Sequence, residues 1–307
     1  MSAGPAFATA LPLDQHPDGP GPLLPEAGLT MQYEWMLRPV FGLLLAALAL
    51  AAMIAGGPWF AGFIALGTIA GVREWHRMIR KGAYNHYVLV SGIGIAVALA
   101  LPVWPTQGPA AILSPFAWAF VALGLAALID AGFGFVAKAG PLWQAMGPLY
   151  LGVPGLSLFA LRAAPDHGLW LVGILFAAVW ATDTGAMASG KLIGGPKFAP
   201  ILSPNKTWAG FVGGTMLAAV AVAVILAVLG ASPLRGAVFG AAVAVVSHAG
   251  DLFESWLKRR VGRKDSGHLI PGHGGVLDRI DSILFAAPAC AAFLLLFGAQ
   301  TMLGVPS

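Results

Sequence analysis

The chain has 307 residues, of which 58% are hydrophobic and only 10% are charged. Soluble domains are nearer half apolar and about a quarter charged, so this composition excludes an ordinary soluble protein and indicates a polytopic membrane protein. The net charge of +4 is too small to argue for nucleic acid as a partner. The single cysteine, Cys290, excludes a disulfide within one chain.

The N-terminal residues differ from the rest of the chain. Residues 1 to about 30 are rich in proline and glycine, contain no lysine or arginine and lack the apolar core of a signal peptide. We therefore expect residues 1–36 to be a disordered tail or the result of a start codon assigned too early. The remainder divides into an N-terminal transmembrane region, 37–140, and a catalytic transmembrane region, 141–307.

Nine apolar runs follow the tail, and most have about the 20 residues that a helix needs to cross the hydrocarbon core. They predict an all-α, polytopic helical bundle with about nine transmembrane helices. The predicted helices cover residues 38–55, 58–73, 86–104, 111–130, 143–162, 168–188, 208–229, 234–257 and 279–302. Residues 73–81 form a basic amphipathic stretch after the second helix, and we expect them to lie on the lipid surface.

The distribution of positive charge predicts the orientation. With the N-terminus in the cytoplasm, 15 of the 17 lysines and arginines fall on the cytoplasmic side, and only Arg162 and Arg235 fall outside. Positive residues favour the cytoplasmic side of a membrane, so the N-terminus is predicted to be cytoplasmic. The two long polar loops, 189–207 and 258–278, then face the cytoplasm, where nucleotides are found.

The stretch 255–281 concentrates charge between two apolar runs. The loop 271–275 at its centre contains three glycines, which let backbone N–H groups approach an anion closely. On the preceding helix, spacings of three and four place polar residues on one face. These residues are Asp251, Glu254, Ser255 and Lys258. Asp278 and Asp281 share a face of the following helix.

Basic residues, bare backbone amides and paired carboxylates together suit a phosphate chain with a divalent metal. A salt bridge to Lys258 or Arg259 is the alternative for Asp251 and Glu254, and helix capping is the alternative for Asp278 and Asp281.

A further carboxylate, Asp183, lies in the apolar sixth run and precedes a polar loop. The loop contains the sequence Ser203-Pro204-Asn205-Lys206-Thr207-Trp208. Taken alone, it could be an ordinary basic loop that holds the membrane surface.

These patterns resemble the phosphatidate cytidylyltransferases, also called CDP-diacylglycerol synthases. The matching positions of the main signature are Ser255, Lys258-Arg259, Lys264-Asp265, Gly267, Pro271, His273-Gly274-Gly275 and Asp278-Arg279-Ile280-Asp281. Asp183, Ser203, Lys206 and Thr207 match two further patterns of the family. The chain departs from the family at Ala209, where a glutamate is common, and at 187–189, where aromatic residues are common.

The resemblance implies transfer of CMP from CTP to phosphatidic acid, giving CDP-diacylglycerol and pyrophosphate. The residues assigned to catalysis are Asp251, Asp278, Asp281 and Lys258. The residues assigned to Mg²⁺, with a second cation left open, are Asp183, Asp251, Asp278 and Asp281. The residues assigned to substrate binding are Ser203, Lys206, Thr207, Ser255, Arg259, Lys264, Asp265, His273, Gly274, Gly275 and Arg279.

The expected location is the cell (inner) membrane, with a multi-pass chain and an active site facing the cytoplasm. CTP, phosphatidic acid and membrane lipids are the expected partners, nucleic acid is not, and a homodimer is left open. We expect one funnel, lined by the ends of helices six, eight and nine and open sideways to lipid. Two alternatives are a CTP-dependent enzyme acting on another lipid, such as a polyprenol, and a membrane transporter.

Overall fold

The computed structural model describes residues 42–80, 84–103, 115–138, 140–164, 167–267, 269 and 274–303. The predicted tail, 1–36, and the predicted substrate-binding residue His273 lie outside these ranges. The described ranges contain nine α-helices, which match the nine apolar runs. They are α1 Gly42–Ala55, α2 Gly57–Ile79, α3 Asn85–Ala100, α4 Pro115–Val136, α5 Pro141–Ala163, α6 Gly168–Leu192, α7 Trp208–Val228, α8 Pro233–Arg260 and α9 Leu277–Leu303.

Six of these helices are long and apolar enough to cross a membrane: α3 with the short turn Leu101–Val103 that follows it, α4, α6, α7, α8 and α9. The chain is therefore a polytopic helical membrane protein. Within the described ranges, length and composition support six of the nine predicted crossings. Of the other three helices, α1 is apolar but shorter, and α5 contains Pro148 and Pro154 in its interior.

Local sequence signals set several helix boundaries. Gly56, with φ of 64°, separates α1 from α2, and Pro58 follows within the first turn of α2. Proline suits that position because the first N–H groups of a helix have no intrahelical acceptor. Thr207 caps α7, since its hydroxyl accepts a hydrogen bond from the Gly210 N–H at 3.0 Å. The predicted start of the seventh helix at residue 208 is therefore confirmed.

The second helix is longer than predicted. It continues to Ile79, so most of the stretch predicted to lie on the lipid surface is helical, with one face buried and with Arg73 and Arg77 exposed. Glu74, Trp75 and His76 are 2%, 0% and 0% exposed. Trp75 Nε1 donates to the Trp143 carbonyl of α5 at 3.0 Å, which fixes this end of α2 against α5. The stretch therefore does not lie on the surface as a whole, because one face is buried through the last two turns, whereas lipid contact of the exposed Arg73 and Arg77 stays a prediction.

A small antiparallel hairpin, which the sequence analysis treated as loop, separates α6 from α7. β1 Lys197–Ala199 pairs with β2 Ser203–Thr207, with Lys197 opposite Thr207 and Ala199 opposite Ser203. Phe198 packs against Trp208 and Phe211 of α7 at ring-centroid distances of 4.6 and 4.9 Å. These contacts hold the hairpin over the start of α7 and so fix the position of the polar residues on β2.

The helices pack in an order that brings distant polar residues to one end. α5 contacts α2, α3, α4, α6 and α9, and α6, α7, α8 and α9 pack each on the next. Between α8 and α9 the approach is close, because a Cβ on Gly250 would lie 2.6 Å from the Asp281 carbonyl oxygen. Small residues commonly permit such contacts between membrane helices. This contact sets Asp251, the next residue of α8, beside the first turns of α9.

Candidate active site

Carboxylates from three helices gather in the C-terminal part of α6 and α8, with Asp183 and Asp251 each nine residues before its helix ends, and at the start of α9. Asp183 lies within electrostatic range of Asp251 and Asp281, so their negative charges repel one another. Asp281 in turn interacts with Asp251 and with Glu254 on α8. The structure thus brings together the three separate acidic positions that the sequence analysis expected to share one site.

A cavity of about 630 Å³ opens between α6, the hairpin, α7 and α8. Asp183 and Asp251 line it, together with Ser203, Thr207 and His248. Lys206 on β2 also lines it, and its Nζ lies 2.5 Å from Asp251 Oδ2. The buried His248 Nε2 has no hydrogen-bond partner within the described ranges, so a polar ligand in the cavity would find a partner there.

Lys258, two turns after Asp251 on α8, lies between two carboxylates. Its Nζ is 2.8 Å from Asp278 Oδ1 and 3.3 Å from Glu254 Oε2. Glu254 is wholly buried, and its second oxygen, Oε1, accepts no hydrogen bond in the part of the chain that the structure describes. The carboxyl of Glu254 also lies against that of Asp281. Two adjacent carboxyls need a proton or a cation between them, and Lys258 alone does not balance three acidic groups.

The acidic groups outnumber the lysines that contact them. Lys206 pairs with Asp251 and Lys258 with Glu254, while neither Asp183 nor Asp281 has a cation within salt-bridge distance in the described ranges. In the same ranges, no three His, Cys, Asp or Glu side chains converge into a complete metal cage. Mg²⁺ usually binds through one or two carboxylates, water and substrate phosphates, so the arrangement fits a cation that binds together with a phosphate ligand.

Asp278 is surrounded by hydrogen-bond donors. Besides Lys258 at Oδ1, it receives Ser266 Oγ at 2.8 Å, Gly275 N at 3.0 Å and Ser266 N at 3.1 Å, all at Oδ2. Gly275 can approach because it has no side chain, since a Cβ there would lie 2.0 Å from Ser266 Oγ. In the structure, Asp278 therefore holds the loop between α8 and α9 in place, and its oxygens are already engaged.

Glu74 on α2 is a residue of this site that the sequence analysis missed. Its Oε1 accepts from Val276 N at 3.0 Å, and its Oε2 accepts from Leu277 N at 2.9 Å. Ser266 Oγ lies 3.1 Å from the same Oε2. The signal that could have found Glu74 is a single acidic residue among basic ones at the end of an apolar helix, where a buried carboxylate needs donors.

The remaining predicted substrate-binding residues lie around these groups. Ser255 is partly buried on α8, and Gly274, with φ of 79°, turns the loop toward α9. Arg259 Nε donates to the Leu202 carbonyl at 3.4 Å, which links the end of α8 to the hairpin turn. Among the predicted substrate-binding residues that the structure describes, the exposed ones are Arg259, Lys264, Asp265 and Arg279.

Comparison with known proteins gives a consistent result. A model described as "Cytidylyltransferase family" matches residues 36–297. The phosphatidate cytidylyltransferase of Brucella suis biovar 1 (strain 1330) is 39% identical over 254 residues, covering 77% of this chain and 90% of the relative. That of Haemophilus influenzae is 33% identical over 281 residues, covering 83% and 97%. That of Rickettsia felis is 40% identical over 152 residues, covering 47% and 66%.

Proposed function

The chain belongs to the cytidylyltransferase family, and we propose that it transfers CMP from CTP to phosphatidic acid, forming CDP-diacylglycerol and pyrophosphate. A phosphate oxygen of the lipid attacks the α-phosphorus of CTP. The bond from that phosphorus to the oxygen bridging to the β-phosphate breaks, and its electron pair leaves with pyrophosphate. The lipid phosphate is already an anion, so the reaction needs alignment and charge neutralisation rather than a strong base.

The observation that carries this proposal is the position of two lysines against clustered carboxylates. Lys206 contacts Asp251, and Lys258 contacts Asp278 and Glu254. A lysine that exchanges a carboxylate for a phosphate leaves that carboxylate available to a cation. Binding of an anion and a cation would therefore support each other at this site, which suits a nucleotide triphosphate with its metal.

We assign Mg²⁺ to the group Asp183, Asp251 and Asp281, of which one or two would hold an ion together with water and substrate phosphates. Asp278 is the fourth predicted ligand, although its oxygens would first have to leave Lys258 and the loop donors. When bound, the ion would neutralise charge on the phosphates, and carboxylates from three helices leave room for a second cation. Lys206, Lys258 and the N–H groups of the glycine loop would hold the phosphates.

The site is proposed to face the cytoplasm from the inner membrane. The lysines of the hairpin and of the end of α8 are on the side of the acidic cluster, whereas Arg162 is at the opposite end of α5. Arg162 Nε donates to the Met53 carbonyl at 2.6 Å, so α1 and α5 both end at that opposite side. The positive-inside rule then favours a cytoplasmic site. Phosphatidic acid keeps its acyl chains in the bilayer, so the site must also open sideways to lipid.

The test is an assay of the purified full-length protein in lipid with labelled CTP. We expect CDP-diacylglycerol and pyrophosphate only when phosphatidic acid and Mg²⁺ are both present. Pyrophosphate release with a polyprenyl phosphate, but not with phosphatidic acid, would identify a different lipid acceptor. Solute uptake into vesicles without pyrophosphate release would identify a transporter. The mass of the protein in detergent decides whether it is the homodimer that the sequence leaves open.

A further inference from the structure

We propose that Glu74 is a positioning residue, which anchors the loop before α9 and thereby sets Asp278, Lys258 and the first turn of α9. Glu74 lies on α2, far from the site in sequence, and its contacts reach the site through Ser266, Val276 and Leu277. The structural part of this inference stands by itself, and its kinetic part rests on the proposed function.

Glu74 supplies hydrogen-bond acceptors at the start of α9. The first N–H groups of a helix have no intrahelical acceptor and are usually satisfied by a nearby Ser, Thr, Asp or Asn side chain. Val276, which precedes Leu277, has an apolar side chain and cannot serve as such a cap. The two oxygens of Glu74 accept from the N–H groups of both residues instead. A negative charge at this position is also favoured by the helix dipole.

Two glycines, Gly267 and Gly275, pack closely against the carboxylate of Glu74. A Cβ on Gly267 would lie 2.6 Å from Glu74 Oε1, and a Cβ on Gly275 would lie 2.6 Å from Oε2. Any other residue at these positions would displace either the loop or the carboxylate. The loop therefore fits around Glu74 as closely as it fits around Asp278.

Ser266 connects Glu74 to the charged groups of the site. Ser266 Oγ lies 3.1 Å from Glu74 Oε2 and 2.8 Å from Asp278 Oδ2, so one hydroxyl proton is shared between two carboxylates. Asp278 in turn contacts Lys258 at 2.8 Å. Glu74 is buried, with 2% of its surface exposed. A change at Glu74 would thus affect Lys258 through two hydrogen-bonded neighbours, Ser266 and Asp278.

The two α2 residues that follow Glu74 are fixed against α5. The next residue, Trp75, donates to the Trp143 carbonyl at 3.0 Å, and His76 Nδ1 lies 3.0 Å from Gln144 Oε1. Both partners belong to α5, so this end of α2 cannot shift without breaking buried contacts. A carboxylate fixed in this way can define where the loop sits.

The structural test compares hydrogen exchange of the loop amides in the full-length wild type, Glu74→Gln and Thr68→Val. Glutamine keeps the size of Glu74 but replaces one acceptor oxygen by an NH₂ group that faces an N–H donor. We expect exchange at Val276 and Leu277 to become roughly tenfold faster or more. Thr68→Val is the control, because the hydroxyl of this buried α2 residue bonds carbonyls of its own helix. Unchanged exchange in Glu74→Gln would overturn the proposal.

The kinetic test measures the Mg²⁺ concentration for half-maximal activity and the KM for CTP. Loss of a residue that orients a metal site costs about 10- to 100-fold in affinity or activity, and we expect Glu74→Gln to raise both constants by about that factor. A purely structural role would lower the active fraction and leave both constants unchanged, which would contradict positioning. Ser266→Ala should give a smaller shift of the same kind and serves if Glu74→Gln does not fold.

If the wild type fails to use CTP and phosphatidic acid, the proposed function fails and the kinetic constants have no meaning. The loop exchange and the Mn²⁺ concentration needed for half-saturation, measured by electron paramagnetic resonance, then decide the inference. Weaker Mn²⁺ binding in Glu74→Gln than in Thr68→Val, together with faster loop exchange, would support positioning. Equal Mn²⁺ binding in the two variants would overturn it.

Discussion

Two groups of carboxylates near the end of α8, a loop-side group and a cavity-side group, differ in how many hydrogen-bond donors surround them. On the loop side, Glu74 and Asp278 accept hydrogen bonds from backbone N–H groups, a serine and a lysine. In the second group, Asp183 and Asp251 line the cavity and Asp281 interacts electrostatically with both. Within the described ranges, only Asp251 of these three has a lysine at salt-bridge distance, and Asp281 accepts one hydrogen bond from the Ser282 N–H at 2.7 Å. A buried carboxylate surrounded by donors is complete, whereas a surplus of negative charge requires a further cation.

We therefore expect the two groups of carboxylates to have different roles within one acidic site. The loop-side group holds Ser266, Gly275 and the start of α9 through protein hydrogen bonds. The cavity-side group has fewer such bonds, which fits the proposed binding of a cation together with a phosphate ligand. The carboxylates that bind a metal most readily should therefore be those that accept the fewest hydrogen bonds from the protein.

The largest effect is expected for Asp281→Asn. This change removes a negative charge from the cavity side, so we expect activity to fall about 10²- to 10³-fold, as when one group that stabilises transition-state charge is lost. Loop exchange should stay close to wild type, because the loop contacts of Asp278 and Glu74 remain. Cys290→Ala, at a buried position of the same helix, is the control for general damage to α9. A near-normal rate at low Mg²⁺ would mean that Asp281 is only a helix cap.

The Asp278→Asn variant tests the other side of the comparison. Asparagine keeps one acceptor oxygen and places an NH₂ group against Lys258 or the loop donors, so the loop should loosen. We expect activity to fall about 10- to 100-fold, with faster exchange of the loop amides. Equal loss in Asp278→Asn and Asp281→Asn, with a loop that exchanges as in wild type, would show instead that Asp278 is a metal ligand. The division between the two sides would then be wrong.

The Lys206→Gln variant tests whether the cavity side binds the nucleotide. A hydrogen bond to a charged group contributes about 1.5–3 kcal/mol, so the KM for CTP should rise about tenfold or more while kcat falls less. Lys197→Gln is a matched control, because Lys197 is an exposed lysine on the neighbouring strand of the same hairpin. An equal rise of KM in both variants would mean that Lys206 acts only through general positive charge.

The sequence could predict the features that depend on local signals. Apolar runs of membrane-spanning length predicted the helices, and the spacing of Asp278 and Asp281 predicted one face of α9. It could not predict Glu74 as part of the site, because its partners follow it by about 200 residues and only packing of α2 against α9 brings them together. The hairpin was missed for a similar reason. Its two short strands are held by Phe198 packing on α7 rather than by an alternating pattern.

The smallest effect is expected at Thr207, whose side chain both caps α7 and lines the cavity. Its hydroxyl caps α7 by accepting from Gly210 N, and it retains one proton that it could donate to a ligand in the cavity. Thr207→Val keeps the shape and removes the hydroxyl, so we expect a loss of about 0.5–2 kcal/mol of stability, measured as a lower melting temperature in detergent.

If capping is its main role, the KM for CTP should change much less than in Lys206→Gln, and Thr207→Ser should restore both properties. A rise in KM as large as that of Lys206→Gln, with an unchanged melting temperature, would assign the hydroxyl to the substrate. It would also show that a polar group already engaged by the protein can still belong to the ligand-binding side, which limits the rule drawn from the carboxylates.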